Sequence, residues 1–327
     1  MSKNIDPLLL HQCHHQLSTG KKCGRVCDNK GFCNWHNPEG QSKKVDISKL
    51  LADNLKSGNS GEGYILKHCD LNNIDLVNRG CHEGFNLIGA DFYRANLRSA
   101  HLFKANLKDG SLMKADLSHA NLHEANLEGC NLLGAKFDGA KIENVKWGAQ
   151  LLQEAQAKED PERALEYYQQ VVEICRGIRK AAENQGLFET AGYFFHKEMM
   201  YRRFQIPKYS FARVISKIVD IVCGYGEKPL RVVTFSILFI MICAIGFAFG
   251  GVAYNGENIQ ISMDLSLWQN IKVFLGSIYF SVVTFTTLGY GDLTPLGTVR
   301  TLAAFEAFIG SFTSALFVVV FVKKMTR

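Results

Sequence analysis

Leucine or phenylalanine returns at every fifth position from Leu87 to Phe137, and Ile142 continues the series. A small residue stands two places before most of them, as at Ala90, Ala95, Ala100 and Ala105, and Asn or Asp often stands one place before. Period five fits neither the 3.6-residue turn of a helix nor the two-residue alternation of a strand. Such a repeat sets the architecture before any single element is assigned. Twelve pentads run through residues 87–142, and Leu66, Leu71 and Leu76 keep the spacing earlier. The 11-residue step from Leu76 to Leu87 marks a loop or a bulged face around residues 79–84.

The pattern A-(D/N)-L-x-x resembles the pentapeptide-repeat family. The resemblance implies a right-handed quadrilateral β-helix over residues 64–147, four pentads to a coil, with the large and small residues inward. The twelve pentads then make three coils, each rising about 4.8 Å, and Trp147 is placed to cap the last. Some members imitate DNA, which needs a strongly acidic face. Residues 66–147 carry 10 basic and 10 acidic side chains, so no nucleic-acid-like role follows. A spacer or docking scaffold is expected, with an unidentified cytoplasmic ligand or protein as its partner.

The chain averages conceal a second part. Mean hydropathy is −0.04 and 47% of residues are hydrophobic, which reads as a soluble protein and excludes a disordered one. Yet residues 232–253 hold no charge and residues 301–322 hold one, Glu306. Each run of 22 residues is long enough to cross a bilayer as a helix. Residues 273–291 between them are uncharged but rich in Thr, Ser and Gly, and read as a re-entrant segment. Basic residues precede the first run (Lys208, Arg213, Lys217, Lys228, Arg231) and follow the second (Lys323, Lys324, Arg327). The positive-inside rule then puts both termini in the cytoplasm of a bacterial-type inner (plasma) membrane. The first 30 residues are polar, so no signal peptide is expected.

Residues 277–292 read S-I-Y-F-S-V-V-T-F-T-T-L-G-Y-G-D. This resembles the pore helix and selectivity filter of two-transmembrane potassium channels, with Thr287-Leu288-Gly289-Tyr290-Gly291 in the place of T-V-G-Y-G. A filter needs successive backbone carbonyls aimed at the ion, and Gly289 and Gly291 reach the required dihedrals without steric cost. A pore helix over residues 278–286 would turn its negative end toward a cation. Leu288 departs from the commonest Val, and Val283 stands where some channels carry a supporting Glu. The resemblance implies a hydrogen bond from Tyr279 to Asp292, with Thr286 as a further filter support; Glu306, an acid inside an apolar run, is expected to make a structural hydrogen bond behind the filter, with a gating proton site as the alternative. The resemblance also implies a homotetramer, since four loops surround one ion, and puts Gly310 where the family often has a hinge glycine, with close packing as the alternative; Ser311, Ser314, Val318 and Val322 recur at spacings of three and four and make one helical face, a candidate lining of cavity and gate. A second G-Y-G, Gly224-Tyr225-Gly226, lies among charges and reads as a turn.

Near the start, Cys13, Cys23, Cys33 and His36 follow C-x9-C-x9-C-x2-H, with Cys27 extra and His14 and His15 as alternative nitrogen donors. Three thiolates and an imidazole make a closed tetrahedral zinc site, and Lys21, Lys22, Arg25 and Lys30 would favour the thiolates. Asp160-Pro161-Glu162 reads as a helix start. That helix runs to about Glu183, breaks at Asn184-Gln185-Gly186 and resumes to about Phe204, forming a hairpin. Phe211, Val214, Ile215, Ile218, Ile221 and Val222 then share one face of a helix suited to a membrane surface.

The expected order is a zinc module (residues 1–40), a linker (41–63), the β-helix (64–147), the helical hairpin linker (148–204), an interfacial helix and turn (205–230), and an all-α pore domain with a re-entrant helix (231–327). The fold class is therefore a multidomain membrane protein. Function is expected to be passive potassium conduction by a homotetramer in the lipid bilayer, regulated through the N-terminal modules because only five residues follow the second run. The alternatives are a weakly selective cation channel and a membrane-anchored interaction scaffold. No P-loop and no paired-carboxylate pattern occurs, so no enzyme is expected.

Overall fold

The computed structural model describes residues 12–18, 20–27, 31–39, 46–254 and 257–326. Lys30 and Arg327, and the remainder of residues 1–45, lie outside the described residues. The chain forms two compact units, residues 1–208 and 209–327.

In the first unit an antiparallel hairpin pairs Gln12 with Val26 and Gln16 with Lys22. Helix α1 (Ile47–Lys56) follows, burying Ile47, Leu51 and Leu55 at four-residue spacing. The sequence assigned these residues to a linker. Its ten residues are too few for a clear period to emerge.

The pentads then stack as parallel bridges. Asn86 pairs with Asn106, Asn106 with Asn126 and Asn126 with Lys146, each partner 20 residues on, which is four pentads per coil. Ile65, Asp70 and Asp75 pair 26 residues on, with Asp91, Asn96 and His101. The earlier leucines thus form a further coil, and the six extra residues fall in the loop around residues 79–84. Leu97, Leu102, Leu117 and Leu122 are wholly buried, as are Ala100, Ala105 and Ala120.

Each pentad ends in a four-residue turn. The Ala100 N–H donates to Leu97 O at 3.1 Å, with Ser99 between them at φ 53°. Arg94, Lys104 and Lys114 occupy the same left-handed position, which costs an L-residue roughly 1–2 kcal/mol. The preceding Asn or Asp offsets part of this. Asn96 Oδ1 accepts from Arg98 N at 3.3 Å and Asp91 Oδ1 from Tyr93 N at 2.9 Å, closing an Asx turn. This is the physical reason for Asn or Asp before the leucine.

A β-helix exposes backbone edges at both ends, and open edges recruit other chains. Here both are covered. At the first end Ile65 N–H donates to Trp35 O at 2.8 Å, and the Trp35 ring stacks on Tyr64. At the other, α2 (Leu152–Glu159), α3 (Ala164–Asn184) and α4 (Phe188–Gln205) close the coil. The Gln185 side chain, between α3 and α4, accepts from Ile142 N at 2.9 Å and donates to Ala140 O at 2.5 Å. One amide thus imitates the next rung. Trp147 packs edge-on between Phe137 and Phe194. The buried side chains of cap, coils and hairpin form one continuous core.

The hairpin differs in detail from the sequence reading. Asp160 lies outside the helix, which begins at Ala164, because residues 160–163 form a bend between α2 and α3. Helix α2 carries no resolved apolar stripe and was not expected. Buried charges hold the helices together. Lys197 lies 2.8 Å from Glu154, and Glu198 takes Arg176, Arg179 and Arg202. Burial opposes the charge of Lys197, but the Glu154 carboxylate beside it holds its pKa above the ordinary lysine value.

In the second unit α5 (Phe211–Cys223) ends at Gly224, and Gly224, Tyr225 and Gly226 all have positive φ, forming a turn. Helix α6 (Pro229–Gly250) leads to strands β1 (Val252–Tyr254) and β2 (Glu257–Ile259). Helix α7 (Leu267–Phe285), strand β3 (Leu293–Pro295) and α8 (Val299–Met325) complete the unit. The three strands form an antiparallel sheet ordered β2-β1-β3. Among the described residues α6 and α8 are the two helices long and apolar enough to cross a membrane. Helix α7 begins at Leu267, about three turns before the expected pore helix. Ser266 caps it in a reciprocal box with Gln269, and Lys272 is carried within it. The charge that ended the uncharged run in the sequence does not end the helix.

Candidate functional site

Helices α6, α7 and α8 pack on one another around Phe247, Phe280 and Cys243. Segment 287–291 leaves the C-terminus of α7 directly. Thr287, Gly289 and Gly291 have φ of 59°, 59° and 78°, whereas Leu288 and Tyr290 do not fall in the positive region. Left-handed residues thus alternate with ordinary ones along the loop, and a cation filter needs successive backbone carbonyls aimed at the ion. The Leu288 and Tyr290 side chains are exposed in the protomer. Thr286, which caps the end of α7, donates its hydroxyl back to Val282 O at 2.7 Å.

The expected Tyr279 bond is present. Its hydroxyl donates to Asp292 Oδ2 at 2.8 Å, joining α7 to the residue after the loop. Glu306 on α8 is wholly buried and accepts from the Ser281 hydroxyl on α7. Ser281 Oγ also lies 2.9 Å from Ile240 O on α6. One serine therefore joins all three helices behind the loop. The sequence reading missed Ser281, which carries no signal of its own inside an uncharged run.

Gly310 lies against α7. A Cβ there would stand 2.0 Å from Phe285 O and 2.8 Å from Phe285 C, which are backbone atoms of the last residue of α7. Glycine is required at this point by close approach of two helices. Ser311, Ser314, Val318 and Val322 are all exposed in the protomer along one face of α8. Near its end Lys323 pairs with Glu227, and Arg231 with Asp220 at 2.9 Å, joining α8 and α6 to α5 and its turn.

In the first unit the hairpin and a turn at residues 33–36 gather Cys13, Cys23, Cys33 and His36. All four are buried, and their ligand atoms lie within 4.8 Å of one another. His36 Nδ1 is 3.4 Å from Cys13 Sγ and 3.2 Å from Cys33 Sγ. Its Nε2 lies 2.8 Å from Glu62 O, so Nε2 carries the proton and the Nδ1 lone pair faces the sulfurs. Cys33 N–H donates to Cys13 Sγ at 3.2 Å. Burial, followed by the neighbouring thiols, pushes Cys23 up to about 11, against a bond from the Arg25 backbone. Three thiols and one imidazole in a buried pocket fit a tetrahedral cation that stabilises thiolates. Cys27 stands outside the four. His15 stacks on the His36 ring at 3.9 Å rather than supplying a ligand.

Comparison with known proteins agrees with this division. Residues 259–327 match the family described as ion channel. Residues 82–109 and 111–146 match pentapeptide repeats, in 8 copies. The ion-channel match thus takes in α7, β3 and α8 and stops short of α6, and the pentapeptide matches take in the repeat region. No curated protein matches the chain. Among solved structures, HetL is a pentapeptide repeat protein involved in heterocyst differentiation regulation from the cyanobacterium Nostoc sp. strain PCC 7120. It is 29% identical over 27% of this chain and 38% of its own, with a TM-score of 0.21. Rfr23 from the cyanobacterium Cyanothece 51142 is 25% identical over 28% of this chain and 56% of its own, at TM-score 0.16. A pentapeptide repeat protein of the Arabidopsis thaliana thylakoid lumen is 26% identical over 28% and 68%, at TM-score 0.14.

Proposed function

We propose that the protein is a potassium-selective channel assembled as a homotetramer, with Thr287, Leu288, Gly289, Tyr290 and Gly291 as its filter. The observation that carries this reading is the alternating backbone at residues 287–291, set at the C-terminus of α7 and tied down by Tyr279 and Asp292. One loop surrounds nothing, and four around an axis replace the hydration shell of the ion. The helix end adds a favourable dipole for a cation. Ser311, Ser314, Val318 and Val322 line the conduction path below the filter, and Gly310 fixes α8 against the filter-bearing helix. Helices α6 and α8 cross the inner membrane with both termini in the cytoplasm, where α5 lies along the bilayer surface. Its exposed Phe211, Val214, Ile218 and Ile221 suit that place.

Cys13, Cys23, Cys33 and His36 hold a structural zinc ion in this reading. The ion would fix the hairpin to the turn at residues 33–36 and so secure the cap of the first coil. The N-terminal unit acts as the regulatory part of the channel.

The test is potassium flux into liposomes bearing the purified protein, with native mass and elemental analysis of the same sample. Four chains, one zinc per chain and flux abolished by Gly289→Ala support the reading. A monomer without flux removes the channel proposal, and zinc far below one per chain removes the metal.

A further inference from the structure

The loop at residues 287–291 is held unevenly along its length. Its start is pinned to α7, because Thr287 N–H donates to Thr284 O at 3.1 Å and Leu288 N–H to Val283 O at 3.0 Å. Past Leu288 the loop is exposed in the protomer, and a Cβ on Gly289 or Gly291 would meet nothing within 4 Å. The place of its outer half is therefore decided by what holds the chain beyond it. That is Asp292, bound by Tyr279, and then β3.

Strand β3 is an edge of the sheet and pairs with β1 in the register Val252–Pro295, Ala253–Thr294 and Tyr254–Leu293. Antiparallel pairs alternate between those that exchange two backbone hydrogen bonds and those that exchange none. Pro295 has no N–H, so its pair with Val252 is of the second kind, and Ala253–Thr294 is the pair that exchanges both. The bond from Leu296 N–H to Gly251 O, at 3.4 Å, keeps the same alternation two residues along. The far side of β3 is closed, since proline offers no donor there and Arg300 Nε donates to Pro295 O at 3.2 Å.

Strand β1 is a firm partner. It leaves α6 through Gly251, whose φ of 88° costs glycine nothing sterically. Val252 is buried with Phe247, Phe280 and Val299, and Leu293 packs against them. Strand β2 covers the other edge of β1. The chain after β2 returns to both helices. Ile261 N–H donates to Ala248 O on α6 at 2.8 Å. The Asn270 amide on α7 accepts from Ser262 N at 3.3 Å and donates to Ser262 O at 3.0 Å.

We propose that this outer sheet is the clamp that positions the outer half of the filter, with Ala253 and Thr294 as positioning residues acting through their backbone. The proposal rests on the channel reading above. A preorganised site tolerates displacements of only about 0.5 Å, and β3 is the first regular element after the loop. The Ala253–Thr294 pair lies outside the buried cluster of α6, α7 and α8. Its loss should therefore reach ion selectivity before it reaches assembly.

The test is the reversal potential of wild type and Thr294→Pro in planar bilayers, with potassium on one side and sodium on the other. The proline removes the N–H that Thr294 gives to Ala253, on an edge strand that already carries Pro295. The expected result is a potassium-to-sodium permeability ratio lowered about fivefold or more, the worth of one backbone bond, in a protein that keeps its tetramer mass. A ratio equal to that of a selective wild type removes this proposal alone. A wild type that passes no selective current removes the channel reading, and this proposal with it. Should Thr294→Pro fail to assemble, Ala253→Cys with Thr294→Cys decides. Facing Cα atoms of such a pair stand about 5.5 Å apart, within reach of a disulfide. After potassium is withdrawn and restored, oxidised channels should recover more current than the same channels treated with a reductant on the outer side, and equal recovery overturns the proposal.

Discussion

Gly310→Ala separates two roles for this residue, a flexible hinge and a point of close contact. The added Cβ would lie 2.0 Å from Phe285 O, which is about 1.4 Å inside ordinary contact. Both colliding groups are backbone, so no rotamer relieves the clash, and the end of α7 or the whole of α8 must move. Overpacking of this kind costs roughly 1–3 kcal/mol, and the absence of a yielding side chain argues for the upper end. A loss of about 3 kcal/mol lowers melting by several degrees or more. The displaced atoms lead straight into Thr287, and a shift of about 1 Å exceeds the tolerance of a preorganised site. Melting of the detergent-solubilised protein and the potassium-to-sodium permeability ratio should therefore both fall. A hinge would leave both intact and change open probability alone. A variant with normal melting and normal selectivity refutes the close-contact argument.

Tyr279→Phe removes the bond to Asp292 and should reduce selectivity or the duration of conducting openings. The bond to a carboxylate is worth about 1.5–3 kcal/mol, and single-channel recording reads the effect. Gln185→Ala exposes Ile142 N–H and Ala140 O at the last rung, and should destabilise the N-terminal unit by about 1–3 kcal/mol, measured by melting. The Lys197–Glu154 pair gives a pH signature. The folded-state pKa of Lys197 is raised, so its contribution is complete below the unfolded value near 10.5 and is lost as pH rises through the folded value. Lys197→Met should lower stability at neutral pH by about 3–5 kcal/mol and flatten the alkaline limb of the melting profile.

Much of this architecture was legible in particular residues. The five-residue spacing of Leu87, Phe92 and Leu97 places them all in the core, and the turn at Gly224 follows from its charged surroundings. The Tyr279–Asp292 contact followed from aligning one short stretch. Other features lie in long-range packing that no local pattern records. Gln185 mimicking a rung, Ser281 joining three helices and the sheet of β1, β2 and β3 all depend on partners far away in the chain. Helix α7 exceeds the expected 278–286 because it continues back through Lys272 to the cap at Ser266. The Lys272 Nζ stands over the Trp268 ring at 5.9 Å, so the charge is accommodated without ending the helix. Gly310 illustrates a further limit: sequence shows that a glycine is present, and only the packing shows the backbone it must clear.

The most direct test of the central claim is the reversal potential of the reconstituted protein in a planar bilayer, with potassium on one side and sodium on the other. A potassium-selective filter at Thr287 to Gly291 predicts a reversal potential strongly displaced in the direction of potassium, abolished together with the current by Gly289→Ala. Current reversing near zero, or current unaffected by that substitution, would contradict it.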